Sequence, residues 1–545
     1  MDGLMMEFPL TLAHIFDRAG RYFGKTELVS RRPDKTIHRT TYGEFHARAQ
    51  KLANALRKLG LRPGDRVATL AWNHSRHLEA YFGVPIGGGV LHTLNPRLSA
   101  TDLTYIVNHA GDRVLIVDEV LLPVLEKFRA QIHPKHVIVW GKAPEGMIDY
   151  EELIAPESAT FSPPQLEEGQ AAGICYTSGT TGQPKGVVYS HRSMVLHALL
   201  AALPDGLGIS QAQVVMPVVP MFHVNAWGLP FACTMVGAKQ VFPGPNLDPA
   251  SLLGLIADEG VTCTGGVPTV WLAILEALDK APGQWNVKSL KQMVVGGSAA
   301  PAALIEAFEK RHGLNVVHAW GMTEMSPIGT VSRLKPSHAN LSEPEKLKVR
   351  ASQGMPMPFV DIRVMGDQGP VSWDGKSMGE LQVRGPCIAR SYFDNADEGD
   401  KFTSDGWFRT GDIVTADAEG YIRITDRSKD LIKSGGEWIS SVELENALMG
   451  HPAVKEAAVV AVRHPKWDER PVACVVLKEG AQASEEELRS FLAPKFARFW
   501  LPDAFVFMEQ IPRTAAGKFR KTALREQLKD FKLAEGSAPA PRASR

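Results

Sequence analysis

The segment Tyr176-Thr-Ser-Gly-Thr-Thr-Gly-Gln-Pro-Lys-Gly186 concentrates three glycines, four aliphatic hydroxyls and a lysine in one short stretch. Gly179, Gly182 and Gly186 permit backbone angles closed to other residues, so amide N–H groups can converge on an anion. Thr177, Ser178, Thr180 and Thr181 add hydroxyl groups, and Lys185 adds positive charge. Together they suit phosphate. Apolar runs at 172–176 and 187–189 flank the segment, which makes it a loop between strands. Most Gly/Ser-rich loops are plain turns. The hydroxyl density and the embedded Pro184-Lys185-Gly186 set this one apart.

Two familiar nucleotide loops are excluded by spacing. A Walker loop needs a glycine five residues before the Gly-Lys-Ser/Thr glycine. The one candidate, Gly375-Lys376-Ser377, has Pro370 there. No Rossmann glycine triad follows the first strands. A serine-hydrolase elbow also fails, because Gly296-Gly297-Ser298-Ala299 continues with Ala300 rather than glycine.

Further along stand Pro220-Met-Phe-His-Val-Asn-Ala-Trp227, Gly296-Gly-Ser-Ala-Ala-Pro301, His318-Ala-Trp-Gly-Met-Thr-Glu324, Trp407-Phe-Arg-Thr-Gly-Asp412, Tyr421-Ile-Arg-Ile-Thr-Asp-Arg-Ser-Lys-Asp430 and Pro512-Arg-Thr-Ala-Ala-Gly-Lys518. In this order, and with Tyr176–Gly186, they resemble the motifs of the adenylate-forming superfamily. That superfamily includes acyl-CoA synthetases, firefly luciferase and peptide-synthetase adenylation domains. The similarity runs over nearly the whole chain and is nearest to bacterial medium- and long-chain fatty acid–CoA ligases.

The resemblance implies an enzyme that joins a carboxylic acid to ATP as an acyl-adenylate and then passes the acyl group to coenzyme A. It implies that residues 177–182 and Lys185 hold the ATP phosphates, and that adenine lies on Gly297, Ser298 and Ala299. His223, Val224, Trp227 and Gly297 are expected to line the acyl pocket, with Trp227 gating it. Glu324 offers the carboxylate oxygen that a hard Mg²⁺ prefers, with Thr177 as a second ligand, and Thr323 offers a hydroxyl to the α-phosphate. Trp320, between Ala319 and Gly321, can stack on adenine. His318 stands where an amide facing the adenine amino group is expected, and its neutral ring can accept one hydrogen bond. Asp412 is expected on the ribose hydroxyls, with Arg427 nearby. Lys429 is expected as the hinge and Lys433 at the nucleotide. Gly436 and Trp438 are expected to meet coenzyme A, and Lys518 to be the adenylation lysine. Carrier-protein loading, oxygenase chemistry and ligation of a short acid such as 3-methylthiopropanoate are the alternatives, with non-catalytic metabolite binding disfavoured by the presence of Lys518, Glu324 and Asp412.

These loops need scaffolding. Helical patterns alternate with short apolar runs such as Arg66–Leu70 and Val114–Val117, and such alternation predicts an α/β fold with covered sheets. From about Asp426 the texture changes to a compact α+β unit. Ser440 with Glu443, and Ser484 with Glu487, have capping-box spacing, and the first helix should stop near Gly450. The expected layout is a large N-terminal domain of mixed, helix-covered sheets (1–425), a hinge (426–431), a small mobile α+β C-terminal domain (432–533) and a disordered tail (534–545).

The chain has 545 residues, 44% hydrophobic and 22% charged, with Lys+Arg and Asp+Glu balanced at 60 each. A zero net charge gives no global pull towards nucleic acid or an anionic membrane. The five cysteines form no metal-like or paired spacing, so reduced thiols in the cytoplasm are expected. Neither a signal peptide nor a membrane-spanning run is read from the sequence. A homodimer is expected from the resemblance alone.

Overall fold

The computed structural model describes residues 1, 3–177, 183–395, 399–434, 437–513, 518–531 and 533. The assignments to Ser178, Gly179, Thr180, Thr181, Gly182 and Gly436, and the expected tail, lie outside the described residues.

Val114–Asp118 and Val90–Leu94 are buried along their whole length, as strands covered on both faces must be. They belong to a seven-stranded sheet in the order Ile148–Asp149, His136–Trp140, Val114–Asp118, Arg66–Leu70, Val90–Leu94, Ala171–Tyr176, Gly186–Ser190. Every neighbour pair is parallel until the last, where Ala171–Tyr176 and Gly186–Ser190 run antiparallel. The two strands that flank the glycine-rich segment therefore pair as neighbours at the sheet edge.

A nine-stranded sheet carries the other large-domain loops. Four of its neighbours, Val316–Gly321, Gln292–Val295, Cys263–Gly266 and Val214–Pro217, are mutually parallel. Pro220–Trp227, Gly296–Pro301 and Gly321–Glu324 follow the carboxyl ends of three of these strands. That is where open α/β sheets place ligands. Val316–Gly321 then pairs antiparallel with Ile328–Val331 through an irregularity at Trp320/Gly321. A Cβ at Gly321 would collide with the Pro327 carbonyl, so this close return requires glycine.

An antiparallel five-stranded sheet follows, ordered Gly369–Pro370, Asp361–Gly366, Met378–Arg384, Phe408–Ala416, Ile422–Arg427. The C-terminal unit has its own sheet, in which Val454–His464 and Asp468–Leu477 form a long hairpin joined by Ile432–Ser434, Glu437–Ile439 and Ala504–Phe507. Its core of Ile432, Leu444, Leu448, Val459, Val475 and Leu488 is separate from the large clusters. Ser440 and Ser484 accept the amides of Glu443 and Glu487, so the serine half of each expected box forms. The first helix, Ser441–Met449, stops before Gly450 as expected, although that glycine keeps a right-handed conformation. Among the described residues no helix is long and apolar enough to cross a membrane. All five cysteines are free and buried.

Candidate active site

A cleft of about 680 Å³ opens between the sheets and the C-terminal unit. It gathers Thr177, Lys185, His223, Val224, Trp227, Gly297, Ala319, Trp320, Gly321, Thr323, Glu324, Arg427, Lys429 and Lys518. A smaller adjoining space of about 220 Å³ adds Ser298, Ala299, His318 and Asp412. Residues more than three hundred positions apart in sequence thus share one cavity.

At the end expected for the nucleotide, Asp412 is 1% exposed. Its Oδ2 accepts from the Trp320 indole N–H at 2.9 Å, and Oδ1 meets Arg427 Nε at 2.6 Å. Its own amide donates to Thr410 Oγ1. The carboxylate is thus fixed in direction, while each oxygen keeps a second lone pair for a hydroxyl. Trp320 is held in place by the same bond, its ring lining both spaces.

His318 departs from the expected adenine contact. Ala300 N–H donates to its Nε2 at 3.3 Å, so that nitrogen is the acceptor, and Nδ1–H donates to the Ala351 carbonyl at 3.2 Å. Burial pushes its pKa down to about 4, which keeps the ring neutral. Both nitrogens are committed to backbone. His318 therefore shapes the 297–300 loop rather than offering a free acceptor.

At the reacting end, Glu324 is 6% exposed, and its Oε1 accepts from Tyr392 O–H at 2.7 Å. Tyr189 O–H holds the Thr323 carbonyl at 2.7 Å. Lys185 Nζ lies 4.9 Å from the centre of the Tyr392 ring. Thr177 and Lys185 close the base of the glycine-rich segment, with Thr177 N–H on the Lys185 carbonyl (2.9 Å) and Lys185 N–H on Thr177 Oγ1 (3.1 Å). Tyr392 and Tyr189 were not read from the sequence, and no motif spacing marks either.

Lys518 enters this cleft from the C-terminal unit. Burial, then the nearby Arg427 guanidinium, push its pKa down to about 8, while Asp412 and Glu324 act the other way. Arg513 and Phe519 pair across the base of its loop, and Arg513 also meets Glu456 at 2.7 Å. Lys429 lines the cleft too, its pKa lowered mainly by burial.

The end expected for the acyl group is built differently. Val224, Asn225, Ala226 and Trp227 have φ of 45°, 53°, 49° and 58°, a left-handed turn without glycine that ends at Gly228. Such residues each cost roughly 1–2 kcal/mol. The Trp227 indole rests over Gly265 and Gly296, where an added Cβ would come within 3.6 and 3.2 Å of the ring. His223 faces the cleft, and burial pushes its pKa down to about 4.

Lys433 does not line either space in this orientation of the C-terminal unit. Along Ile432–Ser434 the outer residues point into the C-terminal core, so Lys433 points out and lies 4.8 Å over the Trp438 ring. Trp438 likewise sits outside the cleft, 38% exposed. No described group of three or more His, Cys, Asp or Glu side chains is arranged for a metal. Glu324, in the same cleft as the residues expected at the phosphates, still suits Mg²⁺, which commonly takes one or two carboxylates with substrate phosphates and water.

Comparison with known proteins agrees with this geometry. Residues 15–393 match the model of the AMP-binding enzyme family, and 443–518 match the AMP-binding enzyme C-terminal domain. A long-chain fatty acid–CoA ligase of Thermus thermophilus is 54% identical over 97% of both chains. A 3-methylmercaptopropionyl-CoA ligase of Ruegeria lacuscaerulensis is 47% identical over 97% of this chain and 99% of its own. Among solved structures, the anthranilate CoA ligase AuaEII with anthranoyl-AMP superposes with a TM-score of 0.86 at 28% identity, covering 96% of this chain and 98% of that one. With a family match across most of its length and a cleft that assembles the matched motifs, the chain belongs to the AMP-binding enzymes.

Proposed function

We propose that the protein is an AMP-forming acid–CoA ligase acting on medium- to long-chain fatty acids. The position of Lys518 carries the proposal: a cation from the C-terminal unit stands beside Glu324 and Asp412 in a cleft built by the large domain.

Bringing a carboxylate to ATP means bringing two anions together, so the site must supply charge and alignment. The carboxylate oxygen attacks the α-phosphorus, the bond to the β-phosphate oxygen breaks, and pyrophosphate leaves. Lys518, Lys185 and the Thr323 hydroxyl stabilise and orient the phosphates during this step, and Asp412 fixes the ribose. Trp320 and the loop 297–299 seat the adenine. Mg²⁺, held by Glu324 with Thr177 beside it, would neutralise phosphate charge. The coenzyme A thiolate then attacks the acyl carbonyl, and AMP departs with the bonding pair. Lys429 is the proposed pivot for a rotation between the two steps, and Gly436 and Trp438 the proposed thiol-side residues. Water must be kept from the mixed anhydride, which suits a cleft closed by the C-terminal unit.

A second reading has a specific observation behind it. The Trp227 indole packs against Gly265 and Gly296 and lines the cleft beside His223 and Val224, where it would limit the length of a bound chain. A short acid would leave the indole in place, and the Ruegeria relative is named for such an acid. We include in the proposal a cytoplasmic setting, supported by five free cysteines, and a homodimer, to be checked by sedimentation.

The test is acid-dependent pyrophosphate release with and without coenzyme A, over acids from short to long chain plus 3-methylthiopropanoate. The expected result is release with fatty acids and thioester only when coenzyme A is present. No release with any acid would overturn the proposal.

A further inference from the structure

Asp426 is fully buried on the strand Ile422–Arg427, one residue before the arginine that grips Asp412. The strand is locked into the five-stranded sheet, with Asp426 opposite Ile413. Its carboxylate nevertheless faces the C-terminal unit. Oδ2 accepts both the amide and the hydroxyl of Ser441, each at 2.6 Å, and so caps the helix Ser441–Met449. Next to it, Ser440 O–H donates to the Thr425 carbonyl.

The contact continues towards Lys518. The Lys521 ammonium donates to Ser441 Oγ at 2.5 Å and pairs with Glu445 at 2.7 Å, both side chains largely buried. Glu445 in turn accepts the Val459 amide at 2.7 Å. Lys521 opens the helix Lys521–Gln527, three residues after Lys518, and Arg520 N–H ties the intervening turn to the Pro512 carbonyl. A short relay therefore joins the large sheet to the loop that presents Lys518. Burying a carboxylate is costly unless it is bonded and faces a cation, and Asp426 has both compensations in this orientation.

We propose that Asp426 is a positioning residue for Lys518: through Ser441 and Lys521 it latches the C-terminal unit in the orientation used to form the acyl-adenylate. The proposal rests on the acid-activation reading above. Ser441, Glu445 and Lys521 move together with the C-terminal unit, whereas Asp426 stays with the sheet. Rotation about Lys429 separates them, so the latch acts in the first half-reaction and is released for the second.

The test uses the full-length enzyme, an acid accepted by the wild type, and single-turnover assays of each half-reaction. Asp426→Ala should slow acyl-adenylate formation about tenfold or more, since small misplacements of a catalytic group are expensive in rate. The loss should lie in kcat, with KM for ATP nearly unchanged. Thioester formation from supplied acyl-adenylate and coenzyme A should stay within about twofold of wild type. Asp426→Asn keeps an acceptor for Ser441 and should fall between; it decides the matter if the alanine variant does not fold. Equal slowing of both halves, or unchanged adenylation, overturns the latch. A wild type that releases no pyrophosphate with any acid refutes the ligase reading and the latch with it, whereas normal wild-type ligation with equal losses in the variants refutes the latch alone.

Discussion

At the nucleotide end of the cleft Asp412 is held from two sides by Trp320 and Arg427, and His318 spends both ring nitrogens on backbone. At the acyl end Trp227 projects from a turn of four left-handed residues onto a floor of glycines. The first region is fixed by mutual hydrogen bonds in a buried setting, where each bond orients the next. The second is held in a sparsely populated backbone conformation, with little side-chain bulk beneath the indole. Such conformations persist only where surrounding structure enforces them, and they cluster at ligand clamps. On the proposed reading, one cleft combines a nucleotide seat fixed by hydrogen bonds with an acid seat held by backbone packing.

The largest expected effect tests whether the cation from the C-terminal unit belongs to the nucleotide end. Lys518→Ala should reduce acyl-adenylate formation by on the order of 10² or more, corresponding to roughly 3 kcal/mol. It should leave conversion of supplied acyl-adenylate largely intact, as measured by rapid-quench single turnovers. Comparable loss in both halves would detach Lys518 from the nucleotide end.

The same lysine sets a pH dependence. A pKa pushed down to about 8 means that Lys518 is charged below pH 8 and neutral above it. For adenylation, kcat/KM should therefore be flat towards neutrality and fall as pH rises through about 8. In Lys518→Arg, whose side chain stays protonated, the remaining activity should not show this fall. An unchanged alkaline limb would assign the ionisation elsewhere.

At the acyl end, Trp227→Ala should shift the ratio of kcat/KM between long and short acids by about tenfold while KM for ATP changes little, since one pocket group is worth about 1–3 kcal/mol of discrimination. An equal shift in KM for ATP would dissolve the contrast between the two ends. The smallest effect is expected from His318→Ala. Losing two buried hydrogen bonds should loosen the 297–300 loop and raise KM for ATP a few-fold, with the acid profile unaltered. A collapse of activity would give the histidine a direct role with the nucleotide.

The covered sheets and the chemistry-bearing loops were legible because each leaves a local trace. Buried strands show as apolar runs, and phosphate loops show as glycine and hydroxyl clusters. Glu324, Asp412 and Lys518 came from motif resemblance, and the fold does bring them together. What the sequence hid is what depends on partners distant along the chain. Tyr392 reaches Glu324 across 68 positions, and nothing near residue 392 announces it. The bonds to Ala300 and Ala351 that occupy His318 involve backbone, which carries no side-chain signature. Lys433 lies outside both spaces in this orientation of the C-terminal unit because strand alternation turns it outward, a local pairing that the motif does not reveal. The left-handed turn at 224–227 was invisible for the opposite reason: its composition gives no hint of positive φ, and only tertiary packing holds it there.

The short run Val224–Trp227 also bears on how such an enzyme diversifies. Its indole rests on Gly296, the residue just before the loop proposed to seat the adenine, so a change in the turn reaches both ends of the cleft. A new acid specificity drawn at this turn must therefore leave intact the glycine floor that the two ends share.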